Sequence, residues 1–72
     1  MTRTEFLALC EKSNISTSMI HFENSAADGY YVLKNHYRWE LSFRERGQEY
    51  ECMGFPSESD ALNYLADKLI CN

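Results

Sequence analysis

A chain of 72 residues forms one domain near the lower size limit for an unstapled core, because so short a chain buries only about 60% of the surface its unfolded form exposes. With 44% hydrophobic and 25% charged residues, one Pro and three Gly, it reads as an ordinary globular domain and not as a disordered tail. Eleven acidic against seven basic side chains leave a net charge of −4, the wrong sign for gripping a phosphate backbone and the right sign for a basic protein partner. No apolar run is long enough for a membrane span, and Met-Thr-Arg-Thr-Glu lacks the basic start and apolar core of a signal peptide. The expected location is therefore the cytoplasm. Cys10, Cys52 and Cys71 are odd in number, widely spaced and without a CxxC, which points to a reducing compartment and to neither a disulfide framework nor a zinc knuckle.

Thr2-Arg3-Thr4-Glu5 reads as a capping box, so a first helix starts near Arg3. Phe6, Leu7, Leu9 and Cys10 line its buried stripe, and Ser13-Asn14 close it. Ser18 to Phe22 suits a short edge strand with Ile20 and Phe22 facing inward. Glu23 to Gly29 is a loop by composition, ending in Asp28-Gly29. Tyr30 to Lys34 is a strand, joined to the next by a connection around Asn35-His36. A two-residue turn there would bury Val32 opposite Trp39 and expose Tyr31 and Leu33; a three-residue turn would reverse the facing.

From Tyr37 to Arg44 the odd positions are large and apolar and the even ones polar or small, the period of a strand with one buried face. An Arg46-Gly47 turn would then set Phe43 opposite Tyr50, Leu41 opposite Cys52 and Trp39 opposite Gly54. The same register sets Arg44 opposite Glu49, a cross-strand ion pair worth about 0.2–1 kcal/mol, and Ser42 opposite Glu51. Ser57 caps a second helix whose buried stripe is Ala61, Leu62, Leu65 and Leu69, with Ala66 and Ile70 at its edge and Lys68 outside it. The expected fold is α+β: an N-terminal helix, a three- to four-stranded antiparallel meander and a C-terminal helix, with both helices on one face of the sheet. The opposite face would present Arg38, Glu40, Ser42, Arg44, Glu49, Glu51 and Met53.

Chemistry is sparsely signalled. His21 and His36 fall in an edge strand and a turn, away from any nucleophile, and Cys52 on a buried face would behave as a small hydrophobe. Cys10, Cys71, His21 and His36 show no ligand spacing that a strand, turn or helix would bring together, so neither a metal nor a cofactor is expected. Acids, not bases, lie between the aromatics of the sheet, which opposes single-strand nucleic-acid binding.

Trp39-Glu40 on a strand, the Glu45-Arg46-Gly47 turn, and Phe55 followed by Ser57-Glu58-x-x-Ala61-x-x-Tyr64-Leu65 resemble the small immunity proteins of bacterial polymorphic toxin and contact-dependent growth inhibition systems. The resemblance covers roughly residues 30 to 69; the N-terminal third departs from it. It implies an intracellular antidote, not an enzyme, that binds a cognate toxin domain and occludes its active site or substrate path. Toxins of these systems are often nucleases, which suits an acidic antidote. Trp39, Gly47, Phe55 and Ala61 would carry fold, so the contact residues come from the pattern of this chain: Asp28, Tyr31, Glu40, Arg44, Glu49 and Glu51. Two other readings compete: a homodimeric structural or regulatory module pairing through exposed strands, and an acidic mimic of nucleic acid, which the mixed Arg38/Arg44 face disfavours. A monomer is the expected state.

Overall fold

The computed structural model describes residues 1–70. Cys71, counted above among possible metal ligands, lies outside the described residues. Helix α1 spans Arg3–Lys12, and the expected capping box is present: Glu5 N donates to Thr2 Oγ1 at 3.1 Å and Thr2 N to Glu5 Oε1 at 2.8 Å. These two Thr2 contacts hold the Glu5 carboxyl below the usual range. Ser13 caps the C-terminus, and Asn14 turns the chain out of the helix at φ +59°. A 3-10 turn, Thr17–Met19, leads into a short strand β1, Ile20–His21.

Three longer strands follow: β2 Gly29–Asn35, β3 Arg38–Glu45 and β4 Gln48–Phe55, after which helix α2 spans Glu58–Ile70. Ser57 Oγ accepts from Asp60 N at 3.1 Å, and Glu58 and Asp60 occupy the first turn of α2, where the helix dipole favours negative charge. The sheet order is β1-β2-β3-β4. Both helices cover one face: Phe6 and Cys10 of α1 join Ala61, Leu62, Leu65 and Ala66 of α2 over Ile20, Val32 and Leu41. Trp39, Phe22 and Phe55 pack at the margin of this core. The α+β class, the helix positions and the common helical face are as expected.

Several details differ. The sheet is mixed, since β1 runs parallel to β2, pairing Ile20 with Tyr30 and His21 with Tyr31, while the other pairs are antiparallel. A parallel neighbour obliges the chain to travel back before re-entering the sheet. Residues 23–28 make that return across the face opposite the helices, so this face is not open along its whole width.

The connection between β2 and β3 is a two-residue turn, but at His36-Tyr37, with Asn35 opposite Arg38 and His36 at φ +57°. Val32 therefore meets Leu41 and not Trp39, and Tyr37 stands in water at 99% exposure, outside the strand to which its alternation assigned it.

The β3–β4 hairpin closes as expected through Arg46 and Gly47, at φ +53° and +79°, with Phe43 opposite Tyr50 and Arg44 opposite Glu49. Beyond Tyr50 the register shifts by one residue, so that Leu41 meets Met53 and Trp39 meets Phe55. Glu51, at φ +52°, takes up the extra residue of this bulge. The expected pairings of Leu41 with Cys52, Trp39 with Gly54 and Ser42 with Glu51 are therefore replaced. The bulge brings the larger Met53 and Phe55 to the apolar side in place of Cys52 and Gly54, and apolar burial scales with side-chain area. Cys52 is consequently exposed, not buried, and Met53 lies on the helix side.

Candidate protein-binding face

The face away from the helices is organised by Tyr31. Its strand neighbours Tyr30 and Val32 point to the helices, which leaves Tyr31 on the opposite side, yet it is fully buried. The returning loop covers it. The Tyr31 hydroxyl donates to Ala27 O at 2.6 Å and lies 2.7 Å from Ser25 Oγ, and His21 stacks on its ring at 4.8 Å between centroids. The guanidinium of Arg44 covers the ring at 4.1 Å from its centroid. Arg44 also donates to Asn24 Oδ1 at 2.5 Å, to Ser25 O at 3.4 Å and, through Nε, to Glu49 Oε2 at 3.2 Å. One arginine thus joins loop, β3 and β4.

At the other end of the loop, Asp28 Oδ1 accepts from Arg46 N at 3.0 Å, and Asp28 O lies 3.0 Å from His21 Nε2. The loop is in this way pinned to the hairpin turn as well as to Tyr31. Between loop and turn lies a cleft of about 400 Å³, lined by Ser25, Ala26, Ala27, Asp28, Arg44 and Glu49. Ser42, nearly buried beneath it, donates to Glu49 Oε2 at 3.4 Å.

Of the six residues expected to contact a partner, Asp28, Arg44 and Glu49 converge on this cleft. Glu40 stands on the same side of the sheet farther along β3, held by Asn35 Nδ2 at 3.0 Å and Arg38 Nη2 at 3.3 Å. Tyr31 is a correction: with no exposed surface it supports the face from below and offers nothing to a partner. Glu51 is a second correction. The bulge turns it to the helix side, where it binds Lys68 of α2, and this contact raises the Lys68 pKa. Asn24, Ser25, Ala27 and His21, the residues that fix the loop, did not emerge from sequence reasoning. The one available signal was the parity of Tyr31 on a strand whose alternate side chains already filled the core.

Charge on this face is unevenly satisfied. Arg44 is spent inward on the ring and the loop, with its side chain 23% exposed, whereas its ion-pair partner Glu49 is 45% exposed. A pair so open to water contributes little stability, about 0.2–1 kcal/mol, but leaves its carboxylate available to a cation. Cys52 lies on this side too, where desolvation and the Glu40 and Glu49 carboxylates push its thiol pKa up. In a Cys71→Ser background, Cys52 should alkylate more slowly at pH 7.5 than an unstructured cysteine, and Glu49→Gln should accelerate it. Buried Cys10 should stay unmodified until unfolding. Mass spectrometry after a timed iodoacetamide pulse reads all three rates.

His36 sits in the exposed turn beside Tyr37, and His21 is held between a carbonyl and an aromatic ring. Among the described residues neither lies against a nucleophile. Among the described residues no group of three or more His, Cys, Asp or Glu is placed to hold a metal ion, and no helix is long and apolar enough to cross a membrane. Comparison of the chain with protein-family models, with curated proteins and with solved structures finds no match.

Proposed function

We propose that this chain is a cytoplasmic immunity protein that neutralises a cognate bacterial toxin, a nuclease by preference, by binding it and blocking its active site or substrate path without catalysis. The observation that carries this reading is the carboxylate array of Asp28, Glu40 and Glu49 beside a loop locked by Tyr31 and Arg44. A nuclease domain needs a basic cleft for its substrate, and a preformed acidic surface meets such a cleft with fast, steered association. Because the loop is already fixed in the free protein, less ordering entropy is lost on docking. The likeness to antidote families in the Trp39 strand, the Arg46-Gly47 turn and the capped second helix points the same way.

The reading is tested by growth protection. Cells producing the polypeptide encoded in the neighbouring reading frame should stop growing, and co-production of this chain should restore growth. Replacing Asp28, Glu40 and Glu49 together by Lys, with the fold checked by circular dichroism, should abolish the rescue. An absence of protection by the unaltered chain, or full protection by a folded triple variant, would overturn the proposal.

A further inference from the structure

The sheet has two edges of different character. β1 closes one of them with two residues, whereas β4 ends the other with eight, and β3 is its one strand neighbour among the described residues. Every β4 residue from Gln48 to Gly54 is exposed. Such an edge offers a row of main-chain donors and acceptors to any chain that can lie alongside it. Its helix-side row carries Tyr50 and Met53, with the Glu51–Lys68 ion pair between them. Tyr50 and Met53 are 46% and 38% exposed, and Tyr64 of α2, 39% exposed, flanks them with its ring 5.5 Å from that of Phe55. These are three of the five large apolar side chains exposed among the described residues, gathered beside one strand.

We infer that the β4 edge receives an extended strand from a basic protein partner, which joins the sheet beside β4. Alternate apolar side chains of that strand would rest on Tyr50, Met53 and Tyr64, while its lysines or arginines reach toward Glu49 on the other side. This deepens the antidote reading by naming how the partner docks, and it rests on that reading for the partner's basic character.

Charge selects the occupant. Antiparallel pairing of β4 with a second copy would bring the half-exposed Glu49 of one chain near that of the other, in a protein whose charge is already −4, and like charges across strands repel. A cationic strand converts the same positions into attraction.

The test is an NMR titration of the isotope-labelled protein with a synthetic octapeptide of alternating valine and lysine. Amide shifts should concentrate on residues 48–55 and on Tyr64. Two further peptides, N-methylated on the valines or on the lysines, keep every side chain but lose main-chain donors; at least one should bind at least tenfold more weakly, as should an alternating valine–glutamate peptide. The inference fails if the parent peptide does not bind, if both N-methylated peptides bind as well as the parent, or if the shifts fall on residues 23–28. It also fails if the protein sediments as a dimer that Met53→Lys dissociates, since its own copy would then hold the edge. The peptides carry no toxin activity, so this outcome is read independently of growth protection.

Discussion

Gly29→Ala should destabilise the fold by about 3 kcal/mol or more, because the residue sits at φ +135°, a backbone region that side chains rarely enter. A Cβ there would stand 2.4 Å from Met19 O and 2.9 Å from Met19 C, and both are backbone atoms that cannot rotate away. Relief would require β1 to part from β2, the single parallel pairing of the sheet. A domain of this size carries roughly 4–11 kcal/mol of stability in total, and each kcal/mol moves the Tm by about 4–8 °C. Thermal unfolding followed by circular dichroism should therefore show a Tm lowered by roughly 12 °C or more. A Tm within a few degrees of the unaltered protein would mean that the Met19–Gly29 contact is not as described.

Tyr31→Ala should cost about 3–5 kcal/mol, the usual penalty for emptying a fully buried aromatic site. The ring is the surface on which His21, Arg44 and the returning loop all rest. Tyr31→Phe separates the parts of that role. It retains the ring but removes the hydroxyl from Ala27 O and Ser25, at a cost of about 1–2 kcal/mol. In the Phe variant, amide hydrogen exchange should quicken at residues 23–28 well before the helices, because the loop loses its anchor while the core under α1 and α2 keeps its contacts. If exchange in the loop is unchanged, the hydroxyl does not hold it.

The parts of the fold readable from sequence are those in which one local rule has no competitor. Thr2 and Glu5 form their reciprocal cap, Ser57 starts α2, and Arg46-Gly47 closes a tight hairpin with Arg44 opposite Glu49. Reading failed where two registers of the same strand turn different side chains inward. Between Tyr50 and Phe55 a regular ladder would turn Cys52 and Gly54 inward, while a bulge turns Met53 and Phe55 inward instead. The second wins on apolar area, at the expense of a left-handed Glu51. That one-residue shift moves Cys52 to the acidic face and Glu51 away from it, so the β4 side chains beyond Tyr50 change sides.

The parallel entry of β1 was hidden for another reason. Two residues carry no periodicity, and strand direction is decided by where the preceding helix delivers the chain. With β1 parallel, the loop must cross the sheet, and Tyr31 passes from an exposed contact residue to the support of the face. The candidate site was thus partly readable: Asp28, Glu40, Arg44 and Glu49 share one side, and what positions them depends on contacts between residues distant in sequence.

The central claim is that this chain works through the carboxylates beside the clamped loop. Its most direct test is the rate at which the purified protein associates with its proposed toxin partner, measured over a range of salt concentrations against a Glu40→Lys/Glu49→Lys variant. The account predicts association for the unaltered protein that slows steeply as salt rises, and a variant roughly tenfold or more slower at low salt with a flatter salt dependence. Equal rates and equal salt slopes for the two proteins would contradict it.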